Sequence, residues 1–307
     1  MILPRSFAIL FLCALALLSS LLPAAAAEFS VPGRVSQGHA FPASVQDTRP
    51  FTAQFRWRGE SIRVKAVKHP SKQRWKADIL LALPLDAKAD EVLSISLHDE
   101  QHDFVVMPLR VRWPESILKV APKYVAPPPE ALPQIERDRR RIRKALDSRT
   151  VKRWSLPMAR PVPGGITSAF GGRRVFNGQP RAPHKGTDMR CAEGTPVKAA
   201  WAGIVLLAET TYFGGKTVYL DHGQGVISSY AHLSAFDVKA GDSVRKGQVV
   251  GRSGATGRVT GPHLHFGLHV QGVPVDAMPL LTLPPALTGG PSRTLYERQP
   301  SASRSSR

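Results

Sequence analysis

The stretch "GPHLHFGLHV", Gly261 to Val270, restricts the fold more than any other part of the chain. Leu264, Phe266, Leu268 and Val270 alternate with His263, His265, Gly267 and His269. Successive side chains on a strand point to opposite faces, so this period of two predicts a half-buried strand. The apolar set faces a core, and three of the chain's 10 histidines share the other face. A polar outer face is enough to explain one H-x-H, so a metal reading depends on what the rest of the chain places nearby.

The same period recurs upstream. "FTAQFRWRGESIRVKAV" alternates at Phe51, Ala53, Phe55 and Trp57, turns at Gly59–Glu60, and alternates again at Ile62, Val64 and Ala66, as a hairpin does. "WKADILLALPL" alternates from Trp75 through Ala77, Ile79 and Leu81. "LSISLHDEQHDFVVMPLRV" reads as two strands about a polar turn, with His98 and His102 expected in solvent. The expected class is mainly β, with a small sandwich-like module over 28–122. A linker over 123–155 follows, Pro-rich in "APPPEALP" and semi-rigid. It continues in the basic helix "QIERDRRRIRKALDS", whose thin apolar stripe is Ile135, Ile142 and Leu146 and whose arginines read as a solvated face. A second β module is expected over 156–283, and a polar, disordered tail over 284–307. Within the second module "EGTPVKAAWAGIVLLAE" echoes "AGDSVRKGQVVGRSGATG", each a strand pair bent around glycine. The echo is similar to lipoyl- and biotinyl-carrier hairpins, but no displayed lysine with flanking methionines occurs, so only shared β geometry is implied.

The first 27 residues are set apart. Arg5, an apolar run from Phe7 to Leu22 and "PAAAAEFS" read as a secretory signal with cleavage near Ala27. The run is short for a membrane span, so membrane attachment is expected only if the segment stays uncleaved. Of the two cysteines, Cys13 lies in this segment, which leaves Cys191 without a disulfide partner, as a small buried hydrophobe. The net charge is +19, and removing residues 1–27 takes away Arg5 and no acid, leaving +18. Such a balance suits a polyanionic surrounding. Export, and the lack of aromatic residues among the basic ones, argue against nucleic acid and leave anionic lipid or an acidic wall polymer.

Ionisable side chains cluster in four places. "PHKGTD" holds His184 and Asp188, "DHGQG" holds His222, "YAHLS" holds His232, and "GPHLHF" holds His263 and His265. Each is weak alone. Together they supply imidazoles and a carboxylate, the donors that suit zinc. With one cysteine left, three protein ligands and an open position fit better than a closed structural site.

The ordered set "SAFGGRR…NG…HKGTD…YAHLS…GRVTGPHLHF", spanning roughly Leu156 to Leu280, resembles the lysostaphin-type (LytM-like) zinc endopeptidases of peptidoglycan. The resemblance implies an antiparallel β catalytic domain with a central groove and one zinc ion per chain. It implies His184, Asp188 and His265 as metal ligands and His232 and His263 as catalytic histidines. His222 and His269 are left as structural or supporting residues. Arg173 in "FGGRR" is expected to contact substrate or pack the groove wall. The family often carries an acid after "HLHF", and here Gly267 stands there. The implied substrate is the peptide stems of the wall, in the periplasm, with D-alanyl–diaminopimelate crosslinks before glycine bridges and with room for a regulatory protein partner. The competing reading is a non-catalytic wall-binding activator of other hydrolases; those members have broken zinc sites, whereas this ligand set is complete.

Overall fold

The structure is a computed structural model that describes residues 27–69 and 73–282. The expected signal segment, save Ala27, and the expected tail lie outside the described residues. Among the described residues no helix is long and apolar enough to cross a membrane.

The chain is mainly β, as the alternation demands. In the N-terminal part a four-stranded sheet contains Ala40–Asp47 and Trp75–Ala82, and a five-stranded sheet contains Thr52–Trp57, Glu60–Lys65, Glu91–Leu97 and Glu100–Leu109. Val45, Phe55, Ile79, Leu81, Leu93 and Ile95 fill the space between them. The first hairpin turns at Arg58–Gly59, one residue earlier than expected, because both residues adopt the positive φ (48° and 82°) that a two-residue hairpin turn requires. His98 and His102 are not simply solvated. His98 Nε2 lies 2.9 Å from Asp47 Oδ2, and the His102 ring packs at a tilt against Phe29, with ring centres 4.4 Å apart.

The strand Trp75–Ala82 is apolar on both faces, and the reason lies in the other half of the chain. Ile79 and Leu81 face the N-terminal core, while Leu80 and Ala82, with Ala40, join the C-terminal core. A strand buried on both faces reads as a continuous apolar run, here "ILLAL". Polar contacts fix the docking: Gln271 Nε2 donates to Leu80 O (3.0 Å), Gln224 Nε2 to Asp78 O (3.1 Å), and the Asp276 N–H to Gly38 O (2.7 Å).

The C-terminal part is built on a large sheet whose central order is Ile166–Ser168, Thr187–Arg190, His263–Val270, Val226–Phe236, Gly215–Asp221, Gly203–Thr211, Ser243–Val244, with every pair antiparallel. The two echo segments pair with each other: Pro196–Lys198 with Val249–Ser253, and Gly203–Thr211 with Ser243–Val244. Leu264, Phe266, Leu268 and Val270 are all buried, as the alternation requires. Cys191 is half-buried and packs against the same core.

The helix Leu132–Leu146 lies against the Gly203–Thr211 strand. Of its expected stripe Ile135 is buried and Ile142 and Leu146 are half-buried; Ala145 completes the contact. Asp138 accepts the Tyr212 N–H (2.8 Å), and Arg141 pairs with Glu209. A separate three-stranded sheet joins Glu115–Leu118, in parallel, to the hairpin Arg173–Phe176/Gln179–Arg181. The segment ahead of the helix therefore runs along one edge of the C-terminal part.

Candidate metal centre

The strand Thr187–Arg190 pairs with His263–Val270 so that Asp188 stands directly opposite His265. Cross-strand partners share a face, which brings the carboxylate to the histidine face. His184 arrives from the loop before Thr187, and Gly186 lets that loop lie against the imidazole. A Cβ at Gly186 would come within 2.7 Å of His265 Cε1 and Nε2 and within 2.7 Å of the Phe266 carbonyl. Three donor atoms converge: His265 Nδ1 is 2.8 Å and His184 Nε2 3.1 Å from Asp188 Oδ1, and the two nitrogens are 3.0 Å apart. Donors around a tetrahedral ion at 2.0–2.1 Å lie about 3.3 Å from one another, so the set has the span of one zinc ion.

The three donor atoms are held by their neighbours. His184 donates Nδ1–H to Ala169 O (3.0 Å), which leaves the Nε2 lone pair for a metal. Burial pushes His184 down to about 4, against the raising effect of Asp188, so the ring stays neutral. Burial raises the Asp188 pKa, but hydrogen bonds and charge from His184 and His265 outweigh it and hold the carboxyl well below its usual range. Neutral imidazoles and an ionised carboxylate are the forms that bind a metal.

His232 reaches this face through a backbone irregularity. Tyr230 pairs with Phe266 on the core side and Ala231 with His265 on the site side, so strict alternation would send His232 into the core. Opposite Thr217, however, two residues, Ala231 and His232, bulge out of register, and His232 takes φ 65°. Its ring then lies 4.9 Å from His263 and 5.9 Å from His265. The Nδ1–H of His232 donates to Thr256 O (2.8 Å) and that of His263 to Gly261 O (2.9 Å), so each leaves its Nε2 unengaged by the backbone. The Nε2 of His263 is 3.7 Å from Asp188 Oδ1. Burial, then the neighbouring His265 and His263, push His232 down to about 3.

His222 lies apart from this group. It is fully buried, with Nδ1 bonded to Ala202 O (2.8 Å) and Nε2 2.7 Å from Ser228 Oγ. Ser228 Oγ in turn lies 3.0 Å from Tyr230 Oη, which accepts the Ala200 N–H (2.8 Å), so this network braces the core. His269 has a buried Nδ1 with no hydrogen-bond partner. Gly267 faces Ser229: a Cβ there would meet Ser229 Oγ at 2.5 Å.

The two adjacent arginines of "FGGRR" point different ways. Arg173 is 77% exposed and faces Glu115 at 3.6 Å, whereas Arg174 turns inward and sets NH2 2.9 Å from Asp188 Oδ2. Adjacent strand residues face opposite ways, so only one of the pair can reach the site, and the local sequence does not say which. Arg174 and the carbonyl of Thr256 are the site residues that sequence reasoning missed. The only signal for Arg174 was its place beside Arg173.

Comparison with known proteins agrees with this geometry. Residues 182–277 match the model of peptidase family M23. A curated relative, peptidoglycan DD-endopeptidase ShyA of Vibrio cholerae, is 46% identical over 114 residues, covering 37% of this chain and 26% of its own length. DD-carboxypeptidase/endopeptidase Mpg of Neisseria meningitidis is 41% identical over 105 residues, 34% of this chain and 24% of its own. Glycyl-glycine endopeptidase ALE-1 of Staphylococcus capitis is 48% identical over 85 residues, 27% of this chain and 24% of its own. The chain thus spans about a quarter of the length of these relatives. A crystal structure of an M23 peptidase from Pseudomonas aeruginosa superposes with a TM-score of 0.57 at 31% identity, covering 75% of this chain and 87% of that one. With its motif residues gathered at one centre and a similar architecture over most of that structure, this chain belongs to peptidase family M23.

Proposed function

We propose that the protein is a zinc-dependent endopeptidase that hydrolyses peptide crosslinks of bacterial peptidoglycan. The observation that carries this is the convergence of His184, Asp188 and His265 donor atoms, within 4.8 Å of one another, beside two further imidazoles. One zinc ion held by these three residues would supply Lewis acidity for the scissile carbonyl and lower the pKa of an attacking water. Proton handling then falls to His232 and His263, since the chain has no glutamate base in an H-E-x-x-H helix. The Nδ1–H of His232 is pinned to Thr256 O, which turns its Nε2 lone pair toward the site. His263, on the same strand face as His265, is held in the same way by Gly261 O, so one of the two rings takes the proton and the other faces the developing oxyanion. Arg174 fixes the orientation of Asp188 by occupying Oδ2 and leaving Oδ1 to the metal side.

The names of the relatives support wall peptides as substrate, and we favour the D-alanyl–diaminopimelate crosslink. The expected export signal places the enzyme in the periplasm. Among the described residues the parts expected over 28–122 and 123–155 carry no such cluster, and they position the catalytic part, over 156–283, on the wall. Digestion of purified sacculi by the zinc-loaded protein, with released muropeptides identified by mass, tests the reading. Monomers arising from crosslinked dimers are expected, and chelation should stop their release. Binding to sacculi with no cleavage under any metal condition would overturn it in favour of a non-catalytic activator.

A further inference from the structure

Three guanidinium groups gather beside the metal centre with too little negative charge for them. Arg174 and Arg181 are direct cross-strand partners in the hairpin Arg173–Phe176/Gln179–Arg181. Like charges placed opposite each other destabilise a sheet. Arg258 joins them: its guanidinium carbon lies 5.0 Å from the Phe176 ring centre and 4.8 Å from that of Phe213, and Arg174 shares the Phe176 ring at 5.9 Å. Burial, and then repulsion from Arg174 and Arg181, lower the Arg258 pKa. Among the described residues the only carboxylate within ion-pair distance of any of the three is Asp188, which the metal also claims. Arg181 is met by neutral oxygens, Val125 O at 2.9 Å and Gln179 Oε1 at 2.7 Å. The Nε–H groups of Arg174 and Arg181 are both buried and have no acceptor. Buried donors without acceptors are rare in folded proteins, and planar guanidinium forks match carboxylates.

We propose that Arg174, Arg181 and Arg258 form a carboxylate subsite that receives the α-carboxylate of the residue on the leaving-amine side of the scissile bond. The proposal rests on the hydrolase reading and narrows its substrate. The placement suits one residue of peptide. Asp188 touches the histidine nitrogens with one oxygen and Arg174 with the other, and one extended residue spans about 3.3–3.6 Å. A carbonyl at the metal centre therefore puts a carboxylate of the next residue within reach of the arginines. In a D-alanyl crosslink to meso-diaminopimelate, the carbon that bears the amide nitrogen also bears a free carboxylate. An internal Gly–Gly bond has no such group. The cluster thus selects crosslinks of the first kind.

The test uses a synthetic D-alanyl–meso-diaminopimelate crosslink in two forms, with that α-carboxylate free or as its primary amide. kcat/KM on both is measured for the zinc-loaded full chain, Arg258→Gln, Arg258→Lys and Arg181→Gln. The wild type should prefer the acid by about 10- to 100-fold, the scale of a hydrogen bond to a charged group. The preference should collapse in Arg258→Gln, weaken in Arg181→Gln and survive in part in Arg258→Lys, which keeps the charge. Equal cleavage of acid and amide by the wild type, or an undiminished preference in both glutamine variants, would overturn the proposal. Binding of both peptides to the chelated protein is the second arm. Tighter binding of the acid, lost in Arg258→Gln, supports the subsite, whereas a preference that vanishes on chelation assigns the carboxylate to the metal and overturns it. If the wild type cuts neither peptide nor sacculi, the hydrolase reading fails, and this binding arm alone still decides the subsite.

Discussion

Adding one methyl group at Gly186 should weaken the metal centre without unfolding the protein. Gly186 lies between His184 and Asp188, and a Cβ there would sit 2.7 Å from two atoms of the His265 ring and 2.7 Å from the Phe266 carbonyl. Ordinary contact begins near 3.4 Å. Relief of about 0.7 Å must come from the ring or from the loop, because the carbonyl belongs to a paired strand. Either movement displaces a proposed ligand: the ring carries His265 Nδ1, and the loop carries His184 Nε2 and Asp188 Oδ1 together. Metal–ligand distances are held to roughly ±0.2 Å, so a shift of this size exceeds the tolerance severalfold. We expect Gly186→Ala to lose about 10- to 100-fold in zinc affinity, the scale seen when support of a ligand is disturbed. Competition with a chromophoric chelator gives the affinity, and far-ultraviolet circular dichroism establishes that the sheet persists. Zinc affinity within twofold of wild type in a folded Gly186→Ala protein would show that the site relaxes freely and would refute the reasoning.

Three further outcomes follow from the same residues. His265→Ala should lose bound zinc, whereas His263→Ala should keep about one zinc per chain while activity falls roughly 10²–10⁴-fold; metal analysis beside a rate assay separates them, and the reverse pattern would exchange their roles. Tyr230→Phe removes the acceptor of the Ala200 N–H in a fully buried network and should cost about 1–3 kcal/mol in urea unfolding; a neutral result would show that the network is not needed. Burial holds His222 neutral down to about pH 4, while in the unfolded chain it takes up a proton near pH 6.5. Its contribution is therefore intact above pH 6.5 and is lost as pH falls from 6.5 to 4, by about 3 kcal/mol; His222→Gln should lack that part of the slope, and an identical pH profile would contradict it.

Much of the site is written in the local sequence. The alternation in "HLHFGLHV" is enough to place His263 and His265 on one face, because burying Leu264, Phe266, Leu268 and Val270 leaves them no other side. The same rule yields the N-terminal strands and the hairpin near Gly59. It stops at Trp75–Ala82, where Leu80 and Ala82 belong to a second core that the alternation of Ala77, Ile79 and Leu81 does not reveal.

What the tertiary structure alone decided is which of the candidate groups meet, and with which atoms. Asp188 faces His265 through a register set between segments 77 residues apart. His232 faces them only because a bulge and a positive φ turn it away from the side that alternation assigns. His222 has the same local credentials and is spent on bracing Tyr230 through Ser228. Arg174 rather than Arg173 reaches Asp188, and Arg181 and Arg258 gather beside it from a hairpin partner and a separate loop. Side-chain type and period fix which face a residue shows to its own strand. Register, bulges and loop approach are settled by packing between distant segments, and they fix which groups share the few ångströms in which a metal or a carboxylate can be held.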